Sequence, residues 1–388
     1  MMRTRSYCTV LLILSFCLSL GGNLSHGEEI PDLPPVFPLE IAWERLLSSP
    51  PSAGAAMDNL RIYVPLKAGR LEAIARETGE TLWSIPLHTM WSPVIDSTGR
   101  LFVATDFTIR ALEASTGSEL WNYRSQQRLS SAPLLAGHSL VITTMSREVL
   151  SFQVSSGEFL WQSSLEGSSL GHAATTDQSL IVFSQEGGLL TALQLNNGAT
   201  AWSKQISGNL SAPVSARDRI FVGSTENFFY ALNPRNGSEL WKWRTGGDVI
   251  GAAADEDLVY FLSLDNVIRA VNRSNGNQKW KATMSTRPVA PPRITTGAVV
   301  VSGVPTQIYG YVSDTGLLQG SYLPLAALQE PLLIDQELKS YRAAVFTLTR
   351  NGQLVGLRPI ELMFRDPVLE PLSRLPGRFL QIERFPSH

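Results

Sequence analysis

Thr116-Gly117-Ser118-Glu119-Leu120-Trp121 decides the fold, because versions of this phrase recur along most of the 388 residues. In six copies a glycine precedes a tryptophan by four residues. The pairs are Gly79 and Trp83, Gly117 and Trp121, Gly157 and Trp161, Gly198 and Trp202, Gly237 and Trp241, and Gly276 and Trp280. A seventh copy at Thr315-Gly316 has Gly320 at the tryptophan position. The copies lie about 40 residues apart, a period that predicts a propeller or solenoid and outweighs any local motif.

Each repeat predicts four strands. It opens on a small-residue and proline signature such as Ser131-Ala132-Pro133, and an apolar run such as Leu140-Val141-Ile142 follows. Continuous apolar runs are typical of strands buried on both faces. The third strand places a small residue before a large one, which lets neighbouring sheets stack closely. Glycine suits the turn after it because positive φ costs glycine nothing, and the tryptophan on the fourth strand is expected to wedge between blades.

The repeats also predict how the ring closes. The eighth repeat fails at Arg358-Pro359, without a turn glycine or a tryptophan, whereas Leu39 to Trp43 resembles a fourth strand without its partners. First-strand signals occur near Ala53, Pro93, Pro133, Ala173, Pro213, Ala253, Pro291 and Pro331. We therefore expect an all-β fold, an eight-bladed β-propeller of four-stranded antiparallel blades, closed by an N-terminal strand that completes the last blade.

The chain divides into four segments. Residues 1–27 are predicted to be a signal peptide, because Arg3 and Arg5 precede a short apolar run that small residues follow. Residues 28–37 form an extended lead-in, 38–358 the propeller and 359–388 a proline-rich tail. The leader predicts export to the periplasm or the periplasmic side of the outer membrane, with no transmembrane span in the mature chain. A lipid anchor at Cys17 is the less favoured alternative, because Phe16 stands where a small residue is expected.

Composition excludes several classes of function. A net charge of −2 gives no broad basic field for nucleic acid. The mature chain lacks cysteine, and its histidines lack the spacing of metal ligands. The acidic cluster Asp255, Glu256 and Asp257 is interpreted as a solvated loop between a first and a second strand. Because no phosphate loop or nucleophile elbow occurs either, the sequence predicts no catalytic, cofactor or metal site.

The tryptophans are interpreted as structural. Identical placement in six repeats favours packing, since a sugar or cofactor site would need one special tryptophan. Trp91 and Trp243 fall outside the repeated position. These two are candidates for exposed contacts, with covering of the ring edge as the alternative.

The Gly-x-x-x-Trp repeats, from Leu39 to Leu357, resemble the pyrroloquinoline-quinone-like propeller repeat family. One branch of that family contains quinoprotein dehydrogenases, with the cofactor and calcium in the central funnel and adjacent cysteines above. Another contains BamB-like envelope propellers, which serve the outer-membrane β-barrel assembly machinery without chemistry. Eight blades of about 40 residues leave little chain for the insertions of the dehydrogenases. The resemblance thus implies a non-catalytic scaffold that binds a protein partner, with a quinoprotein-type dehydrogenase or a small-molecule or sugar-binding propeller as the alternative.

The connections between blades are the predicted partner-binding surface, because propeller partners often dock on exposed loops. In the BamB-like branch a leucine-and-arginine loop just before a Ser-Ala-Pro strand contacts the pore protein of the barrel-assembly machinery, so the resemblance implies a contact loop at this position. The counterpart here, residues 205–210, lacks the arginine. The candidate contact residues are Trp91, Arg124, Gln126, Arg128, Leu165, Leu170, Ile206, Asn209, Leu210 and Trp243.

Overall fold

The computed structural model describes residues 36–176, 179–329, 332–335 and 344–360. The predicted signal peptide, Cys17, most of the lead-in and the tail beyond residue 360 lie outside these ranges. The described ranges contain one 3-10 turn, Glu186–Gly188, and no helix that is both long and apolar enough to cross a membrane.

In the part of the chain that the structure describes, thirty-three strands form eight sheets. The strands, in chain order, are β1 (Leu39–Leu46); in blade 1, β2 (Ala56–Met57), β3 (Arg61–Leu66), β4 (Arg70–Ala75) and β5 (Thr81–Pro86); in blade 2, β6 (Val94–Ile95), β7 (Arg100–Ala104), β8 (Thr108–Glu113) and β9 (Glu119–Arg124); in blade 3, β10 (Leu134–Ala136), β11 (Ser139–Thr143), β12 (Glu148–Gln153) and β13 (Phe159–Ser164); and in blade 4, β14 (Ser169–Thr176), β15 (Leu180–Gln185), β16 (Leu189–Gln194) and β17 (Thr200–Gln205).

Blades 5 to 8 continue the series. Their strands are β18 (Val214–Ala216), β19 (Arg219–Ser224), β20 (Phe228–Leu232) and β21 (Glu239–Arg244); β22 (Val249–Ala254), β23 (Leu258–Ser263), β24 (Val267–Asn272) and β25 (Gln278–Thr283); β26 (Arg287–Pro288), β27 (Arg293–Thr295), β28 (Ala298–Val304), β29 (Gln307–Val312) and β30 (Leu318–Tyr322); and β31 (Leu333–Ile334), β32 (Val345–Leu348) and β33 (Gln353–Pro359), which β1 joins. Neighbouring strands pair antiparallel in every sheet, which confirms the eight-bladed propeller; in blade 7 the first strand is divided into β26 and β27, which both pair with β28.

The ends of the propeller domain close the ring. β1 pairs antiparallel with β33, from Leu39 opposite Pro359 to Leu46 opposite Gln353. Trp43 lies opposite Gly356 and therefore occupies the outer strand of blade 8. The predicted closure by an N-terminal strand is confirmed, and blade 8 gains the fourth strand that its own repeat lacks.

Each repeated tryptophan packs against the next blade in the ring and hydrogen-bonds to it. Its indole Nε1 donates to a backbone carbonyl just before the next turn glycine, and its ring lies on that glycine, where a Cβ would come within 3.0 Å of the ring. The hydrogen bonds are Trp43 to Arg76, 2.7 Å; Trp83 to Ala114, 3.0 Å; Trp121 to Val154, 3.1 Å; Trp161 to Leu195, 2.7 Å; Trp202 to Pro234, 2.7 Å; Trp241 to Arg273, 3.1 Å; and Trp280 to Ser313, 2.6 Å. Glycine is therefore needed twice, for positive φ and for the close approach of the neighbouring indole.

The junction of blades 7 and 8 is packed by a phenylalanine instead of a tryptophan. Gly320 stands at the tryptophan position of blade 7, and Phe37 fills the space instead. The Phe37 side chain is 1% exposed, and it lies in a core cluster with Val300 and Val345. A Cβ at Gly320 would lie 3.1 Å from Phe37, and one at Gly310 would overlap the Phe37 ring. Val36 and Phe37, assigned to the lead-in from the sequence, thus belong to the core of the propeller.

Every outermost strand contains a β-bulge just before the tryptophan position. In blade 2, for example, Ala111 lies opposite Trp121 and Leu112 lies opposite Glu119, so Leu120 is unpaired. The unpaired residues in the eight blades are Ala42, Leu82, Leu120, Leu160, Ala201, Leu240, Lys279 and Gln319. The outer strands are sheet edges, and bulges of this kind hinder their pairing with another chain.

Candidate partner-binding face

One face of the ring collects two sets of loops, because antiparallel strands reverse direction at alternate ends. The first set is the connections between blades, and the second is the turns between the second and third strands of each blade. We call this end of the propeller the crossover face. Its connections include residues 87–93, 125–133, 165–168, 206–213 and 245–248, and its turns include 67–69, 105–107, 144–147, 186–188 and 225–227.

Backbone hydrogen bonds hold the connections in place. Between blades 2 and 3, Ser125 N donates to Phe107 O at 2.7 Å, and Met145 N donates to Arg128 O at 2.8 Å. The connection is thus fixed to the turn of the blade it leaves and to the turn of the blade it enters. Bonds that fix other connections to turns are Leu165 N to Arg147 O, Ile206 N to Gly188 O, Thr245 N to Asn227 O and Met284 N to Asn266 O. The crossover face is therefore preorganised, which lowers the entropic cost of binding a partner.

The connection between blades 2 and 3 brings three predicted contact residues together. Arg124, Gln126 and Arg128 are all exposed. The Arg128 Nη2 lies 3.2 Å from the Asp106 Oδ1, and both side chains are about half exposed. An exposed ion pair of this kind contributes little to stability, so Arg128 can exchange Asp106 for a partner's carboxylate at small cost.

The aliphatic residues among the predicted contacts are mostly buried, unlike the charged and polar ones. Leu165, Ile206 and Leu210 are at most 6% exposed, and they lie in the cores between blades 3, 4 and 5. These three residues anchor the connections from beneath instead of presenting side chains, a correction to the predicted contact set. Leu170 is half-buried, and Asn209 is exposed, with its backbone N 2.9 Å from the Thr225 Oγ1.

The two tryptophans outside the repeat also pack against the propeller. Trp91 is half-buried against the cluster that contains Phe102 and Leu140. Trp243 is half-buried, and its Nε1 donates to Gly276 O in blade 6 at 2.7 Å. Both side chains therefore pack against the propeller and remain partly exposed, and their role as partner contacts stays a prediction.

Asp265 organises the turn of blade 6 on this face. Its Oδ1 accepts from the Ser263 Oγ at 2.6 Å, and its Oδ2 accepts from the Arg269 Nη2 at 2.6 Å and from Gly246 N at 3.1 Å. The carboxylate thus ties this turn to the connection that leaves blade 5. Burial alone would raise the pKa of Asp265, but the hydrogen bonds from Arg269 and Ser263 outweigh it and lower the pKa to about 2.

Asp265→Asn is expected to lower the free energy of unfolding at neutral pH by about 1 to 2 kcal/mol, an effect that solvent screening limits. Because the folded-state pKa is below its ordinary value of 3.8, the contribution is complete above that value and disappears as the pH falls towards 2. Urea unfolding of both proteins across this range measures the difference. Glu226→Gln, at an exposed position on the same face, serves as the control. A difference that persists unchanged at pH 2 would contradict this assignment.

Two cavities bear on small-molecule binding. One, of about 160 Å³, lies between the inner strands of blades 3 and 4, and its lining includes Ser131, Pro133 and Phe183 but no carboxylate. Calcium requires several oxygen ligands, so a calcium-dependent quinone does not fit this lining. The other, of about 380 Å³, is lined by Asp255, Glu256, Asp257, Leu258, Asn272, Lys279 and Asp314. Within the described ranges no group of three or more acidic, histidine or cysteine side chains could hold a metal ion.

Comparison with known proteins identifies the family. The family described as outer membrane protein assembly factor BamB matches residues 67–212 and 186–330. The BamB of Moranella endobia is 25% identical over 229 residues, which cover 51% of this chain and 59% of that protein. The BamB of Nitrosomonas eutropha is 29% identical over 155 residues, covering 39% of this chain and 36% of that protein. The chain spans about half the length of the relatives it matches.

Solved structures share the fold. The crystal structure of BamB from Moraxella catarrhalis superposes with a TM-score of 0.65 at 15% identity, over 82% of this chain and 99% of that one. A quinohemoprotein alcohol dehydrogenase from Pseudomonas putida superposes with a TM-score of 0.60 at 10% identity, over 82% of this chain and 76% of that one. At these identities the likeness concerns the propeller alone, whereas the sequence match extends over most of the ring. The chain belongs to the family described as outer membrane protein assembly factor BamB.

Proposed function

We propose that this protein is a non-catalytic scaffold, exported to the periplasmic side of the outer membrane, that holds a protein partner during outer-membrane protein assembly. Membership of the BamB family carries the proposal, because the matched regions extend through blades 1 to 7. The preorganised crossover face supports it, since exposed side chains on hydrogen-bonded connections bind with little loss of entropy. We place the contact at Arg124, Gln126 and Arg128, with Asn209 farther along the same face.

Co-purification from native envelopes tests the proposed surface. The variant that combines Arg124→Glu and Arg128→Glu is expected to retain about tenfold less of the barrel-assembly pore protein, since reversed charges repel a complementary partner. Arg217→Glu is the matched control, because Arg217 is 61% exposed and lies at the opposite end of the propeller. Equal retention by both variants would contradict the surface, and no co-purification with the unmodified chain would contradict the function.

The catalytic alternative is tested separately. Titration of the purified protein with pyrroloquinoline quinone and calcium is expected to give no saturable binding, because the cavity between blades 3 and 4 has no carboxylate to bind calcium. Saturable binding with dye-reducing activity would overturn the non-catalytic assignment. That result would leave partner binding open to the co-purification test.

A further inference from the structure

Among the described residues, five of the exposed large apolar side chains on the crossover face lie at blades 7 and 8, and the others, Met90, Phe107 and Met145, lie at blades 1 to 3. Leu325 is 83% exposed and Leu46 is 72% exposed, although each stands on a well-anchored segment. We call this set the leucine patch; its members are Leu46, Val289, Val304, Leu323 and Leu325. Exposed apolar side chains that occur together on one sector mark an interaction site more often than singly scattered ones do.

Backbone contacts connect the members of the patch. Arg287 lies opposite Val304 where β26 pairs with β28. Leu323 directly follows β30, whose last residue pairs with Ile308 beside the same turn. The connection that carries Leu325 is fixed to the blade 8 turn, because Arg350 N donates to Ala327 O at 2.8 Å. In the same way Leu47 N donates to Gly352 O at 2.9 Å, which holds Leu46 beside that turn.

The charges around the patch are unevenly distributed. Lys67, Arg287 and Arg350 are exposed cations on the turns and connections that flank it. In the described residues of blades 7 and 8, Glu44 is the carboxylate beside the patch, and it accepts a hydrogen bond from the Gln353 Nε2 at 3.4 Å. Across the ring, blades 4 and 5 present the exposed carboxylates Glu166, Glu186 and Glu226, together with Arg244. The leucine patch therefore has exposed cations on its flanks, as the connection between blades 2 and 3 also has in Arg124 and Arg128.

We propose that the leucine patch docks on the surface of an anionic phospholipid membrane, a contact that is independent of the protein partner proposed above. The apolar side chains stand on separate loop tips, and such tips can insert individually among acyl chains. Apolar residues that enter the interface together with flanking lysine and arginine near phosphate are the pattern of a peripheral membrane contact. The anchored backbones keep the tips in position, so insertion requires little ordering of the loops.

Flotation with vesicles tests the contact. The purified full chain is used in a Cys17→Ser background, so that no acyl chain can be attached at that thiol. The probes are phosphatidylethanolamine vesicles with phosphatidylglycerol and vesicles of phosphatidylcholine alone. The variant with Leu323→Ser and Leu325→Ser is expected to partition about tenfold less into the anionic vesicles, because two apolar insertions are lost. The variant with Lys67→Gln and Arg287→Gln is expected to lose about tenfold on anionic vesicles and little on neutral ones.

A matched control separates the patch from general surface hydrophobicity. Leu82→Ser combined with Leu120→Ser removes two leucines that are about half exposed on the outer strands, and it is expected to float like the unmodified chain. Equal flotation of the patch variant and this control overturns the proposal. So does self-association of the chain that Leu325→Ser abolishes, which would assign the patch to a second copy. Loss of the co-purified pore protein with unchanged flotation would assign it to a protein partner instead.

Discussion

Phe37→Ala is expected to lower the free energy of unfolding by about 3 to 5 kcal/mol, as truncation of a fully buried phenylalanine does. The side chain is 1% exposed and stands in for the tryptophan that blade 7 lacks. Removing it leaves a cavity between blades 7 and 8, lined on one side by Gly310 and Gly320, which have no side chains to fill it. Urea unfolding, followed by tryptophan fluorescence, measures the loss.

Two companion variants make this prediction specific. Phe159→Ala, at a position that is 44% exposed on the outer strand of blade 3, is expected to cost less than about 1 kcal/mol. Gly320→Trp restores the side chain of the other repeats, and it is expected to destabilise the unmodified chain by overpacking against Phe37. In the Phe37→Ala background the same substitution is expected to cost little or to restore stability. An equal cost in both backgrounds would show that Phe37 does not occupy that site.

Trp43→Ala is expected to lower the free energy of unfolding by a similar amount, about 3 to 5 kcal/mol. The indole Nε1 donates to Arg76 O at 2.7 Å, and the ring lies against Gly79 of blade 1 and Gly356 of blade 8. Its centroid is 6.0 Å from that of the buried Phe346 ring. Because β1 is the outer strand of blade 8, this residue fastens the seam where the two ends of the propeller domain meet. Thermal and urea unfolding measure the effect.

The controls for Trp43 come from the same strand and the same position. Leu46→Ala, at the exposed end of β1, is expected to change stability by less than about 1 kcal/mol. Trp43→Phe keeps most of the packing but removes the hydrogen bond, which is expected to cost about 1 kcal/mol beyond the lost volume. A loss below about 1 kcal/mol for Trp43→Ala would mean that the seam does not depend on this residue.

The architecture could be predicted from the sequence because its signal is repeated. The spacing of the Gly-x-x-x-Trp phrase indicated blades, and the unpartnered strand ending at Trp43 indicated the closure that β1 and β33 form. Phe37 was missed because Gly310 and Gly320 lie far along the chain, and no local pattern connects them with it. The available signal was that Gly310 and Gly320 stand where most other repeats have larger residues. Two glycines there leave a void, which requires a large apolar side chain from elsewhere in the chain.

The contact surface was predicted less well, for a different reason. Leu165, Ile206 and Leu210 lie in connections, and exposure was inferred from that position alone. The connections run beneath hydrogen-bonded turns, so their apolar residues face the core. Trp243 could have been placed from strand parity, because residues two apart on a strand share a face and Trp241 packs on blade 6. The leucine patch depends on which loops meet in space, which periodicity does not reveal.

Each repeated tryptophan packs on the turn glycine of the next blade. The contact between two blades is therefore built from two consecutive sequence repeats. A repeat supplies the indole for the joint ahead and the glycine for the joint behind, so every joint from Trp43 through Trp280 uses interchangeable parts. Duplicating or excising a whole repeat among blades 1 to 6 would regenerate the same joints. The contact that Phe37 makes between blades 7 and 8 is not repeated elsewhere in the described part of the ring. A change in the number of blades during evolution would therefore have to preserve this one junction.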